Sequence, residues 1–235
     1  MLCGAHPHQQ DNICAACFID IPWTKSACKL CAEYMGPIWL DGDQVCANCL
    51  KKPPLYNRTV CAFDYLMPIS GLINQFKHQQ NLAAGRLLTA CLSQAVCKRM
   101  AEGQTSVPQL LIPVPLHKRR LRQRGFNQAQ LIATGLGQLL GIRTTAKLCH
   151  RVTYQAPQQN QSRRQRFTQM EGVFQVTKAS AEEGINRIAI VDDVVTTGAT
   201  VQALSRSLLN TWDGALDIQV WCVARTQPPN VQIEW

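Results

Sequence analysis

Ile188-Ala189-Ile190-Val191-Asp192-Asp193-Val194-Val195-Thr196-Thr197-Gly198-Ala199-Thr200 decides the fold of this 235-residue chain. The first four residues form a continuous apolar run, the pattern of a central parallel strand buried on both faces. Two carboxylates follow at the expected strand end, and then a run of small and hydroxyl residues turns into a helix. In an open α/β sheet, ligands bind beyond the carboxyl ends of the strands. A helix start there offers unpaired N–H groups and the positive end of a dipole, which suit a phosphate. Thr196, Thr197 and Thr200 add hydroxyl donors, and Gly198 lets the backbone approach closely. Asp192 and Asp193 can accept hydrogen bonds from the vicinal hydroxyls of a ribose. The stretch therefore predicts a pocket for a phosphorylated ribose, formed by Asp192, Asp193, Thr196, Thr197, Gly198, Ala199 and Thr200. A bare turn and helix cap is the alternative for the same residues.

Outward from this loop, the chain alternates strands and helices. Strands are expected over Asn57–Tyr65, Gln109–Val114, Arg187–Val191 and Ile218–Ala224. Helices are expected over Ile69–Met100, Asn127–Leu140 with Gly141 as its stop, and Gly198–Leu209. That alternation indicates a parallel sheet covered on both faces. Tyr154–Met170 differs in kind: six glutamines and three arginines (Arg163, Arg164, Arg166) leave almost no apolar residue, so it reads as a loop or frayed helix over the pocket.

Seven of the twelve cysteines lie in the first 49 residues, and Lys51-Lys52-Pro53-Pro54 closes that stretch. The boundary predicted is a cysteine-rich zinc module over 1–54 and an α/β domain over 55–235. Cys28-x-x-Cys31 and Cys46-x-x-Cys49, 14 residues apart, supply four thiolates for one tetrahedral zinc. Four protein ligands leave no position for water, so the role expected is structural. Cys3, His6, Cys14 and Cys17 are the candidate ligands of a second zinc, with His8 as an alternative to His6 and unbound, reduced thiols as the alternative to the site. Cys61, Cys91, Cys97, Cys149 and Cys222 read as small core residues.

A formal charge of +9, from 24 Lys and Arg against 15 Asp and Glu, favours polyanionic partners or simple solubility. Its distribution favours the first. Lys118, Arg119, Arg120, Arg122 and Arg124 crowd one segment between a strand and a helix, where the arginine fork suits phosphate or nucleic acid, with a solvated basic loop as the alternative. No apolar run reaches the length of a membrane span and the start does not have the pattern of a secretory signal, so a cytoplasmic protein is expected.

Ile188–Thr200 resembles the signature of type I phosphoribosyltransferases, in which the paired acids hold the ribose hydroxyls and the threonine-rich loop holds the 5′-phosphate. Arg122-Gln123-Arg124-Gly125-Phe126-Asn127-Gln128, with Gln75-Phe76-Lys77, Lys51-Lys52-Pro53-Pro54 and the cysteine knuckles, resembles the ComF family over nearly the whole chain. Cys3-x-x-His6 departs from the further Cys-x-x-Cys with which such proteins often open. The resemblance implies a type I phosphoribosyltransferase-like sheet with an amino-terminal zinc module. It implies binding of phosphoribosyl pyrophosphate, with Mg²⁺ on the diphosphate, or of a nucleotide. It further implies a part in DNA uptake or natural competence, with single-stranded DNA and DNA-uptake or recombination proteins as partners. An active phosphoribosyltransferase with an unidentified acceptor is the alternative.

Overall fold

The computed structural model describes residues 13–36, 44–153, 172–177 and 184–228. Two short helices, α1 (Ala15–Asp20) and α2 (Ala47–Lys51), precede β1 (Arg58–Asp64). There follow α3 (Ile69–His78), α4 (Leu82–Ala101), β2 (Leu110–Pro113), α5 (Lys118–Arg124), α6 (Gln128–Leu140) and the two-residue β3 (Arg143–Thr144). The chain is completed by β4 (Cys149–Arg151), β5 (Phe174–Val176), β6 (Arg187–Val195), α7 (Ala199–Thr211) and β7 (Asp217–Arg225). The main sheet has the order β1-β7-β6-β2-β3, all neighbours parallel, while β4 and β5 form a separate antiparallel pair. The α/β reading and the parallel sheet hold.

The sheet is buried on both faces because the middle stretches of its central strands are apolar. Ala189, Val191, Trp221 and Val223 join Leu72, Ile73, Phe76, Leu88, Leu92, Ile132 and Leu136 of α3, α4 and α6 in one core. Ile188, Ile190, Val220 and Cys222 join Val201, Leu204 and Leu208 of α7 in the other. Each such fully buried side chain contributes about 1.5–3 kcal/mol. Gly85 is needed in α4: a Cβ there would stand 2.6 Å from the Phe76 ring.

Several boundaries differ from the sequence reading, each for a physical reason. The helical run from Ile69 breaks into α3 and α4 at Gln79–Asn81, where Gln80 takes a positive φ of 53° and the Asn81 side chain caps α4 by accepting from the Ala84 N–H. The arginine segment is a helix, α5, rather than a plain loop: its Lys, Arg, Leu and Gln residues are good helix formers, His117 Nδ1 accepts from the Arg119 N–H, and left-handed Gly125 ends it. The motif strand β6 runs four residues past Val191, because β7 pairs with it as far as Val195↔Arg225. Among the single cysteines, Cys91, Cys149 and Cys222 are buried, but Cys97 is exposed and Cys61 half-buried, so they are not uniformly core residues. The Tyr154–Met170 segment, with Arg163, Arg164 and Arg166, and also Cys3, His6 and His8, lie outside the described residues.

The sheet would expose β1 as an edge, a liability for intermolecular pairing. The cysteine-rich segment covers it. Thr24 N–H donates to Ala62 O, Asp64 N–H to Pro22 O and Thr59 N–H to Lys29 O, and Trp23 stacks on Phe63 with ring centroids 4.6 Å apart. Asp64, 2% exposed at the end of β1, accepts from Gln227 Nε2 at 2.6 Å. Burial pushes its carboxyl up to about 6, against the opposing pull of Gln227 and Arg225. A raised carboxyl pKa favours the protonated fold, so this contribution is full below about pH 4 and is lost as pH rises through about 6. Asp64→Asn should therefore gain in melting temperature relative to the parent as pH rises through that window. Parallel melting curves from about pH 4 to 7 check this, and a difference independent of pH would contradict it.

Candidate functional site

The connection from β2 goes outward to β3, whereas that from β6 goes the opposite way to β7, so the strand order reverses between β2 and β6. Such a switch point opens a crevice at the carboxyl ends of the strands. Here β2 stops opposite Val191: Pro113 is the last paired residue, and the Val114 N–H makes the closing bond to Val191 O at 2.9 Å. β6 continues with β7 on one side only, which leaves Asp192 and Asp193 bordering the gap. The chain after β2 is pinned across it by Asn127, whose Nδ2 donates to Val114 O at 3.0 Å while its Oδ1 caps α6 by accepting from the Ala129 N–H.

The two acids act as a pair. Asp193 Oδ2 lies 2.9 Å from Lys77 Nζ on α3, both side chains largely buried. Asp192 is pushed well above the usual carboxylate range by burial first and by the Asp193 charge second, with the Lys77 ammonium pulling the other way. Arg151, at the end of β4, also feels the Asp192 charge and that of Arg120 on α5; burial lowers its pKa. Its guanidinium lies 5.7 Å from the Phe174 ring centroid. The crevice thus gathers Asp192 and Asp193 with Lys77, Arg151 and Arg120.

Beyond the acids, Gly198 takes φ 78° as the cap of the 13-residue α7, and Ala199 N–H donates to Thr197 Oγ1 at 3.4 Å. Thr196 is exposed, Thr197 and Thr200 half-buried, and Ala199 buried. This leaves a hydroxyl-rich helix start open to a ligand. On α5, Lys118, Arg119 and Arg122 are exposed; Arg120 and Arg124 are half-buried, and Arg124 donates to Gln128 Oε1 at 3.2 Å. Of the arginine segment, Arg120 comes close enough to Arg151 for their like charges to act on each other, and the exposed members form a basic rim.

The second centre is the cysteine cluster. Cys28, Cys31, Cys46 and Cys49 are all buried, their sulfurs all within 4.8 Å of one another, and together they could hold a metal ion. Cys31 Sγ and Cys46 Sγ are 3.7 Å apart; zinc–sulfur bonds of about 2.3 Å in a tetrahedron require about 3.8 Å. The Cys46 N–H donates to Cys28 Sγ at 3.3 Å, as a thiolate ligand accepts. The Cys31 hydrogen bond is the main cause that brings Cys28 down to about 4, while Cys31 is driven upward by the same contact and burial pushes Cys49 up to about 12. Four thiolates at this spacing need a cation, and the donor set fits zinc. Cys14 caps α1 and Cys17 lies within it, half-buried; their suggested partners Cys3 and His6 fall outside the described residues.

Three contributors were not singled out in the sequence. Lys77 lay inside a family-like stretch but without a role. Tyr56 and Arg151 carry no local signal. Tyr56 matters through Gly198, more than a hundred positions away, and Arg151 through Asp192 on a different strand.

The molecule is thus an α/β protein with a crevice at the switch point of a parallel sheet and, beside its β1 edge, a cluster of four cysteines that could hold a metal ion. No protein-family model matches the chain. It is 35% identical over 182 residues to competence protein F of Haemophilus influenzae, covering 77% of this chain and 79% of that one. It is 34% identical over 215 residues to DNA utilization protein YhgH of Salmonella typhi, covering 92% and 91%. Competence protein ComFC of Bacillus subtilis is 35% identical over 102 residues, 43% of this chain and 38% of that protein. The chain belongs to the ComF family. A crystal structure of TT1426 from Thermus thermophilus covers 63% of this chain and 86% of its own at 14% identity and a TM-score of 0.33, too slight a likeness to bear on the fold. Among the described residues no helix is long and apolar enough to cross a membrane.

Proposed function

We propose that the crevice binds phosphoribosyl pyrophosphate or a nucleotide in a type I phosphoribosyltransferase-like manner, and that the protein uses this site in competence and DNA utilization, with single-stranded DNA as partner. The observation that carries the reading is the acid pair on β6 followed directly by the hydroxyl-rich start of α7, at the place where the sheet order reverses. The sugar hydroxyls would meet Asp192 and Asp193, the 5′-phosphate the loop Thr196–Thr200, and a diphosphate the side of Lys118, Arg119 and Arg120, accompanied by Mg²⁺. The zinc held by Cys28, Cys31, Cys46 and Cys49 is structural. The DNA role is supported by the names of the relatives, by the +9 charge and by the exposed basic rim of α5.

Calorimetry with phosphoribosyl pyrophosphate and Mg²⁺, repeated with single-stranded DNA present, tests both halves. Binding of the DNA should weaken linearly in log K against log salt. Combined Lys118→Ala, Arg119→Ala and Arg122→Ala should reduce that slope by about 2, at about 0.7 per lost phosphate contact. An absent salt slope removes the DNA role, and absent heat with phosphoribosyl pyrophosphate removes the pocket assignment.

A further inference from the structure

A cleft of about 480 Å³ lies between the α7 start and the cysteine module, and neither Asp192 nor Asp193 lines it. Thr197, Gly198 and Gln202 form one wall; Lys52, Pro53, Pro54 and Tyr56 form the other, backed by Cys31 and Cys49 of the metal site. The walls are fixed to each other, since the Leu55 N–H donates to Gln202 Oε1 at 3.0 Å. Tyr56 is 4% exposed, yet its hydroxyl has no hydrogen-bond partner among the described residues. That hydroxyl stands 3.3 Å from where a Cβ on Gly198 would be, so it is aimed at the loop, and a side chain at 198 would close the passage. The hydroxyl opens to the cleft, so a ligand there can accept from it. The lining contains no carboxylate, one ammonium, the amides of Asn48 and Gln202 and the apolar rings of Pro53 and Pro54: it suits a phosphate oxygen, a second phosphate and a base.

In the chain the loop follows the acid pair, and its Thr197 and Gly198 line the cleft while the acids do not. A ligand that ended at its 5′-phosphate would leave the cleft empty, whereas one whose 5′-phosphate is a diester would continue into it. An internal strand residue does not fit, because its 3′-phosphate would fall on Asp192 and Asp193, which repel it. We propose that the site takes the 3′ end of a single-stranded DNA. The free 3′-hydroxyl of the last nucleotide lies on the acid pair, its phosphodiester on the loop with the Tyr56 hydroxyl donating to it, and the preceding nucleotide in the cleft beside Lys52. This deepens the proposed function, because it rests on the same loop holding a sugar phosphate.

The test is fluorescence anisotropy of a short 5′-labelled oligothymidylate on the full chain with its zinc. Strands ending in a 3′-hydroxyl or a 3′-phosphate, and a circular strand, serve as competitors. The 3′-phosphate and the circle should compete about tenfold less well than the 3′-hydroxyl strand, and Tyr56→Phe should weaken that strand about tenfold. Lys52→Ala should weaken that strand as well and leave phosphoribosyl pyrophosphate within about twofold, since that ligand ends on the loop and does not reach Lys52, whereas Tyr56→Phe weakens both ligands, each of which places a phosphate there. Equal competition by all three strands, or an unchanged affinity in Tyr56→Phe, overturns the assignment even if phosphoribosyl pyrophosphate binds. If phosphoribosyl pyrophosphate does not bind but the 3′ preference and its loss in Tyr56→Phe are seen, the strand-end site stands and the phosphoribosyl pyrophosphate reading falls. A ribonucleotide strand that competes better than the DNA overturns the choice of DNA.

Discussion

Cys31→Ser or Cys46→Ser is expected to lose the zinc of the tetrathiol site and to unfold the segment that covers β1. The four sulfurs form a small cluster of their own, with Leu30, Met35 and Val45 as its partly buried apolar neighbours. Such a segment has too little core to hold its shape without the ion. Structural zinc in comparable small modules contributes about 10–16 kcal/mol of apparent binding energy, which is folding energy there. Whole domains are stable by about 5–15 kcal/mol, so loss of one ligand changes the balance of the module outright. The consequence reaches the sheet. Release of residues 22–30 strips β1 of the bonds from Thr24 to Ala62, from Asp64 to Pro22 and from Thr59 to Lys29, and bares its edge for pairing with another chain. The cleft beside Gly198 also loses a wall, because Cys31 and Cys49 line it. Elemental analysis, melting curves and size-exclusion chromatography read the three effects: less zinc, a lower melting temperature and concentration-dependent association. A serine variant with the parent's zinc content and melting temperature would show that the sulfurs do not share an ion.

What the sequence made legible was local chemistry at fixed spacing. The apolar run Ile188–Val191 and the small-residue turn behind it gave β6 and α7, and Asn127 and Gly141 marked the two ends of α6. The cysteine spacing gave the tetrathiol cluster. What stayed hidden depended on partners distant in the chain. The extension of β6 through Asp192 and Asp193 could not be read, because aspartate is a poor strand former and only pairing with β7 keeps these residues extended. Arg225 lies one residue past the strand expected over Ile218–Ala224 and carried no signal of its own. It is 2% exposed, donates to Val195 O, and brings its guanidinium 3.9 Å from Glu33 of the cysteine-rich segment. Lys77 was one lysine in a helix until the fold set its ammonium on Asp193 of β6.

That ion pair makes the two acids unequal, and their substitutions should separate binding from stability. Asp192→Asn with Asp193→Asn is expected to abolish binding of phosphoribosyl pyrophosphate and leave the zinc content unchanged. Two hydrogen bonds from hydroxyls to carboxylates at about 1.5–3 kcal/mol each correspond to a loss of more than about a hundredfold. Singly, Asp192→Asn should raise the melting temperature near neutral pH. Ionised Asp192 opposes folding there, through burial and through the Asp193 charge, so a neutral amide relieves both. Asp193→Asn should lower the melting temperature, since it leaves the largely buried Lys77 ammonium without its 2.9 Å partner. Titration gives an independent check. Asp192 is the stronger acceptor when ionised, and its pKa is raised, so affinity for the sugar should increase with pH as Asp192 loses its proton. Asp192→Asn should remove that increase. Calorimetry across pH, with melting curves of the three variants, reads all of these together. Retained affinity in the double variant, within about threefold of the parent, would mean that the sugar hydroxyls lie elsewhere and that the acids serve only to hold α3 against the sheet.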